Sequence, residues 1–347
     1  MMKMESGPIR DLRNSLGVIF KIAGNLNLVC LACFLRILAL GSEENARVRK
    51  DRQQMIYSKI LVPLDGSKLA EAVLPYAGLL ADALRLPVEL IHVHDPETAW
   101  PSVHPTRSAD YLKQVAASLL SRLTVSCAVK SGAAAEVILD TASAEASTLV
   151  AMATHGQTGG QRWLLGRVAQ KVLQAAKNPL MLIRPQEDKD PSRDFRLGTV
   201  IVPLDGSRLA EEIFPHVGYL ATKMSLQVVL IRTYSLPSAG YFLAAHVSPP
   251  DMADLRNKSE KETGDYLQAQ AEALKREGVE KVSFVVAEGR GPEEIIELAR
   301  KTSGSMVAMS SHGRSGMGRW VLGSVADRVV SNCGDPVLVI RPAPAQV

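Results

Sequence analysis

Short apolar runs alternate with longer segments of helical periodicity along most of this chain. The runs are Lys59–Leu64, Val88–Val93, Leu123–Val129, Thr148–Met152 and Leu180–Ile183, then Val200–Leu204, Gln227–Ile231, Val282–Val286, Ser305–Met309 and Val337–Ile340. Their length and β-branched content predict strands buried on both faces. Between them, stretches such as "SRLAEEIFPHVGYLATKM" and "GPEEIIELARKT" carry apolar residues at helical spacing, with acidic residues in the first turn. Five strands interleaved with four helices, twice over, predict α/β architecture with open parallel sheets covered on both faces. In such sheets ligands bind beyond the carboxyl ends of the strands, where strand order reverses.

The pattern is a duplication. "KILVPLDGSKLAEAVLPYAGLLA" from Lys59 matches "TVIVPLDGSRLAEEIFPHVGYLA" from Thr199 at an offset of 140, and the tails "NPLMLIRP" and "DPVLVIRP" match at 157. One repeated unit of about 130–145 residues accounts for both offsets, the second copy having gained 17 residues in its middle. That middle, from Tyr234 to Gly278, reads as a loop leading into a long polar helix. Gln186–Phe195 is polar, charged and proline-bearing, which marks a linker. The expected layout is an extension with little ordered structure over 1–54, a first domain over 55–185, a linker over 186–196 and a second domain over 197–343.

Charge changes the picture little. The 347 residues carry a formal net charge of +4, and residues 1–55 hold nine Lys/Arg against five Asp/Glu, so the whole surplus lies there. A neutral body with few aromatics gives no reason to expect a nucleic-acid surface. Cys30 and Cys33 form a lone C-x-x-C without a second pair for zinc; with Cys127 and Cys333 they read as small apolar residues, and nothing implies an oxidising compartment. The stretch "LGVIFKIAGNLNLVCLACFLRILALG" has only fourteen uncharged residues between Lys21 and Arg36, short of the roughly 20 that a spanning helix needs. It is also poorly formed as a signal peptide, because Arg36 interrupts the apolar part. Met55 opens "MIYSKILVPLDGS", which reads as a natural chain start running into the first strand. A cytoplasmic protein without a membrane anchor is expected.

Candidate chemistry lies in "SSHGRSGMGRWVLGSVADRVV" from Ser310 and its altered copy "ATHGQTGGQRWLLGRVAQKVL" from Ala153. Each follows a predicted strand and precedes a predicted helix, where successive N–H groups and the helix dipole favour an anion. Gly313, Gly316 and Gly318 permit close approach of backbone to a ligand. Glycines alone do not separate such a cradle from a mobile connection. Asp65 and Asp205, in "DGS", suit ribose hydroxyls or a metal on phosphate, and suit turn and cap chemistry equally. His155 and His312 are either ligand contacts or residues that fix the loop, and the second reading is the plainer. Neither has an acid, base or nucleophile beside it in sequence. For Arg162 and Arg319, packing beside Trp163 and Trp320 is favoured over phosphate contact.

Taken with "KILVPLDGS" and "LIHV", these segments resemble the universal stress protein family over Ile56 to about Pro342. Its ATP-binding branch carries Gly, two residues, Gly, nine residues, then Gly and Ser or Thr. The second copy has Ser310, Gly313, Gly323 and Ser324 at those places, departing at the first glycine. The first has Ala153, Gly156, Gly166 and Arg167, departing there and at the hydroxyl. The resemblance implies two tandem Rossmann-like domains of the adenine nucleotide alpha hydrolase-like kind. It also implies ATP as cofactor, with or without Mg, and no dedicated metal ligands. In the second copy the implied contacts are Pro203, Leu204, Asp205, Thr233, Met309, Ser310, His312, Gly313, Gly323, Ser324 and Val325. In the first they are Pro63, Leu64, Asp65, Val93, Met152, His155, Gly156, Gly166, Arg167 and Val168. Arg167 either pairs with phosphate or fills the site, and the second copy is expected to bind ATP better.

The implied role is a stress-response regulator or survival factor that binds adenine nucleotide. Its halves would pair through their tail strands, and a further homodimer is left open. Slow ATP hydrolysis is the enzymatic alternative, yet there is no Walker-type Lys after the glycines, no positioned general base and no metal cluster in the sequence. A nucleotide-free interaction module is the third reading, which the missing first glycine favours.

Overall fold

The computed structural model describes residues 56–95, 105–119, 121–156, 165–185, 196–237, 252–313 and 322–342. The extension, most of the linker, Cys30 and Cys33, and the intervals holding Arg162, Trp163, Gly316, Gly318, Arg319 and Trp320 lie outside the described residues.

The first half runs β1 (Lys59–Pro63), α1 (Lys68–Glu71), α2 (Leu74–Leu84), β2 (Val88–His94), α3 (Pro105–Leu119), β3 (Val125–Ser131), α4 (Ala134–Ser143), β4 (Thr148–Ala153), α5 (Arg167–Ala175) and β5 (Leu180–Ile183). The second repeats it as β6 (Thr199–Pro203), α6 (Arg208–Glu211), α7 (Phe214–Met224), β7 (Gln227–Tyr234), α8 (Met252–Arg276), β8 (Val282–Glu288), α9 (Gly291–Lys301), β9 (Ser305–Ser310), α10 (Ser324–Asn332) and β10 (Val337–Ile340). The single helix expected after each first strand is two, a one-turn α1 or α6 followed by α2 or α7. Pro75 and Pro215 stand in the first turns of the longer helices, where a missing N–H costs nothing.

The ten strands among the described residues form one sheet, ordered β3-β2-β1-β4-β5-β10-β9-β6-β7-β8. Pairing is parallel within each half and antiparallel at its centre, where Leu338 of β10 stands opposite Met181 of β5. The tail strands therefore join the halves, and all eight of their residues are buried. β3 and β8 are edge strands with part of each face exposed, not strands buried on both faces. β3 also starts two residues later than the apolar run at Leu123, and β3 and β8 each end two residues past their runs, at Ser131 and Glu288.

Alternation along each strand feeds two helical layers. Ile60 and Val62 share one cluster with α2, α3, α7 and α8, whereas Leu61 faces α4 and α5, and Ile201 faces α9 and α10. Both clusters draw residues from both halves, so the core is continuous across the duplication. The long polar helix is α8, which buries Thr263, Leu267, Ala271 and Leu274 at helical spacing. Tyr57, fully buried, hydrogen-bonds Nδ1 of His216 at 2.8 Å, tying the first half to α7 of the second. No helix among the described residues is long and apolar enough to cross a membrane.

Candidate functional site

Strand order fixes where a cleft opens. β1 lies between β2 and β4, and β6 between β7 and β9, so the connections leaving β1 and β4, and those leaving β6 and β9, run in opposite directions. The loops at their carboxyl ends diverge there. In the second half a cavity of about 370 Å³ occupies this point, a size suited to a small organic ligand. Pro203, Leu204 and Asp205 leave β6, Arg232 and Thr233 end β7, Met309 to Gly313 leave β9, and Gly323 to Ala326 begin α10. Gly291 and Ile295 of α9 complete one side. The eleven second-copy residues named from the sequence all line this one cavity.

Asp205 and the serine after it divide the "DGS" chemistry. Oδ1 of Asp205 accepts the Ser207 N–H at 2.9 Å, an Asx turn, while Oγ of Ser207 caps α6 by accepting the Ala210 N–H at 3.2 Å. Helix capping thus belongs to the serine. The other carboxylate oxygen of Asp205 lies against Gly313, so closely that a Cβ built there would overlap it. Asp65 repeats the arrangement with Ser67 and Gly156. This contact explains why both copies keep that glycine: it brings the carboxylate and the start of the glycine segment together.

α10 supplies the donors. Its first intrahelical bond runs from the Asp327 N–H to the Gly323 carbonyl at 2.9 Å. The amides of Ser324, Val325 and Ala326 therefore have no partner within the helix, and all three residues line the cavity. The amide of Gly323, a residue that the resemblance names as a phosphate contact, is already engaged within the protein. It donates to the Ser311 carbonyl at 2.8 Å, as Gly166 donates to Thr154 at 2.9 Å. That bond draws each helix start onto the end of the preceding strand. A Cβ at Gly323 would approach the Ser311 carbonyl oxygen to 2.8 Å, which accounts for the second retained glycine.

Two polar atoms on this wall have no hydrogen-bond partner among the described residues. Oγ of Ser310, in a residue 6% exposed, and Nε2 of His312 are shielded from solvent without a hydrogen-bond partner among the described residues. Nδ1 of His312 is held by Oγ of Ser311 at 2.9 Å, and His155 is held likewise by Thr154, its Nε2 also unpartnered. The same hydroxyl–imidazole pair in both copies supports the loop-fixing role through Nδ1 and leaves the other nitrogen for a further acceptor or donor. A desolvated polar atom without a partner costs about 1–3 kcal/mol, so both atoms favour a hydrogen-bonding partner at this wall. Donor amides, a carboxylate and glycines that cannot carry a side chain suit a phosphorylated nucleoside.

The first half places Pro63 at the end of β1 with Leu64 and Asp65 just after it, Val93 in β2, Met152 in β4, and Gly166, Arg167 and Val168 at the start of α5. His155 and Gly156 follow β4, and Asp65 meets Gly156. Its chemistry differs at four points. Ala153 stands for Ser310, Val93 for Thr233, and the exposed Arg167 for Ser324. His92 replaces Arg232; its Nδ1 lies 2.9 Å from the Leu64 carbonyl, and burial lowers its pKa against the raising effect of that carbonyl. Arg232 instead lies over the Tyr266 ring, 4.6 Å from its centroid. The Tyr266 hydroxyl donates to Glu211 at 2.7 Å, as Tyr111 does to Glu71 at 3.1 Å. Burial first, then Glu211, pushes the Tyr266 pKa up, so it stays a donor. Sequence reasoning missed Arg232, both tyrosines and the paired Ser311 and Thr154. The clearest signal for the last was a hydroxyl residue before His in each copy.

Fold and cleft together define a tandem doubly wound α/β protein. The model of the universal stress protein family matches residues 56–184 and 197–341, and the chain belongs to that family. A universal stress protein of Mycolicibacterium smegmatis is 24% identical over 303 residues, covering 82% of this chain and 97% of that one. One from Methanocaldococcus jannaschii is 30% identical over 143 residues, covering 41% and 81%. A solved universal stress protein from Archaeoglobus fulgidus superposes with a TM-score of 0.56 at 19% identity, covering 82% of this chain and 98% of that one. At that identity the likeness speaks for the fold alone.

Proposed function

We propose that this protein binds ATP in the second-half cleft and acts in the cytoplasm as a nucleotide-dependent stress regulator, not as a catalyst. The observation that carries the reading is that Ser324, Val325 and Ala326, whose amides precede the first intrahelical bond of α10, line the same 370 Å³ cavity as Asp205. The amides and helix dipole would hold phosphate oxygens. Asp205 would accept from ribose hydroxyls, and the backbone at Thr233 would read the adenine edge. Nε2 of His312 would donate to a further ligand oxygen. Asp205 is the only acid lining the cavity among the described residues. No group of three or more His, Cys, Asp or Glu among those residues could hold a metal. Any magnesium would therefore arrive with the phosphates and lean on that one carboxylate.

Mass spectrometry of the purified, undialysed protein tests this. ATP recovered near one equivalent per chain or above is the expected result. ADP together with turnover would make the protein a slow hydrolase, and no adenine nucleotide, with none taken up on titration, would leave an interaction module and end the proposal.

A further inference from the structure

α5 and α10 each start at a cleft and end in the grip of the other half. Nη1 of Arg184, just past β5, donates to the carbonyl of Ser331, the penultimate residue of α10, at 2.5 Å. Nη2 of Arg341, just past β10, donates to the carbonyl of Gln174, the penultimate residue of α5. Donors and acceptors are both related by the repeat offset of 157, so the contact is reciprocal.

Four backbone bonds close these contacts into a circuit. The Gly323 N–H at the head of α10 donates to the Ser311 carbonyl at 2.8 Å, and the Ser311 N–H donates to the Ile340 carbonyl at 2.7 Å. Ile340 precedes Arg341, which holds the tail of α5. The head of α5 donates from Gly166 to Thr154 at 2.9 Å, and Thr154 donates to Ile183 at 2.8 Å. Ile183 precedes Arg184, which holds the tail of α10. Each site helix is thus fixed at its head by its own half and at its tail by the other.

We propose that Arg184 is a positioning residue for the second-half cleft and Arg341 for the first-half cleft. The last carbonyls of a helix lack intrahelical partners, and a guanidinium there satisfies one while complementing the negative end of the dipole. A nine-residue helix is only about 13 Å long and behaves as one rod. Holding its last turn therefore holds the first-turn amides of Ser324, Val325 and Ala326, or of Arg167, Val168 and Ala169. The inference rests on the nucleotide reading for its consequence on binding, but not for the positioning itself.

The test uses the full chain, because separated halves would expose the buried faces of β5 and β10. Arg184→Gln, Arg341→Gln and the corresponding lysine variants are followed by amide hydrogen exchange, read from Asp327 onward in α10 and from Gln170 onward in α5. The pattern expected is crossed. Arg184→Gln speeds exchange in α10 and raises the ATP concentration needed to protect it by about tenfold, leaving α5 within twofold. Arg341→Gln does the reverse, and each lysine variant falls between. Equal loosening of both helices, or an unchanged ATP response in both, would overturn the proposal by reducing the arginines to general interface contacts. Absence of any ATP-induced protection in the parent protein would refute the nucleotide reading instead. The ligand-free exchange pattern would then decide the positioning alone.

Discussion

Gly313→Ala puts the architecture of the cleft under direct strain. A Cβ at that position overlaps one carboxylate oxygen of Asp205 and stands 3.0 Å from its Cγ. The carboxylate cannot swing aside freely, since Oδ1 accepts the Ser207 N–H at 2.9 Å. Giving up that bond costs about 1 kcal/mol, and pushing the backbone apart instead costs about 1–3 kcal/mol of overpacking. A loss of about 2 kcal/mol in urea denaturation is therefore expected, together with at least a tenfold loss of ATP affinity in the second half. Gly156→Ala should cost about 1 kcal/mol more, because Asp65 accepts from both the N–H and the hydroxyl of Ser67, at 2.9 and 2.6 Å. Asp205→Ala removes the obstacle, so Asp205→Ala/Gly313→Ala should be more stable than the sum of the single losses predicts. Strict additivity, or a Gly313→Ala protein as stable as the parent, would refute the contact as the reason for the glycine.

Three further outcomes follow from other parts of the molecule. Burial pushes the His216 pKa down from 6.5 to about 4, so below pH 6.5 the unfolded chain takes up a proton that the folded chain refuses. Stability should decline between pH 6.5 and 4 by on the order of 3 kcal/mol, and His216→Gln should flatten that slope in urea titrations; an equal slope in both proteins contradicts the assignment. Ser225 closes α7 with φ at 56°, a left-handed conformation that favours glycine. Ser225→Gly should raise the melting temperature, by about 1 kcal/mol of stability, whereas a lower melting temperature would show that the serine side chain matters more than the strain. In site-resolved ATP titration of the full chain the second half should bind more tightly than the first; equal affinities would discard the inference drawn from Arg167 in place of Ser324.

The strands were legible because strands covered by helices on both faces must be apolar on both, and Leu180–Ile183 and Val337–Ile340 carry that in four residues each. The same reasoning erred at β3 and β8, since nothing in Val125–Ser131 says that a strand ends a sheet. Duplication supplied most of what could be read of the cleft. Glycines kept at Gly156 and Gly313, and at Gly166 and Gly323, marked positions where a side chain does not fit, and the structure adds what each would strike. Long-range partners were the part that sequence could not reach. Arg184 and Arg341 stood in plain view in "LIRP" and "VIRP", but a periodicity argument has no means of naming Ser331 and Gln174 as their acceptors. Likewise the Gly323 amide looked like one more phosphate donor until its bond to Ser311 was seen.

A crystal structure of the full chain grown with ATP tests the central claim most directly. The account predicts triphosphate oxygens within hydrogen-bond distance of the Ser324, Val325 and Ala326 amides, with the ribose at Asp205 and the Gly323 amide still on Ser311. Nucleotide bound elsewhere, or a cleft left empty at saturating ATP with those three amides turned to protein acceptors, would contradict it.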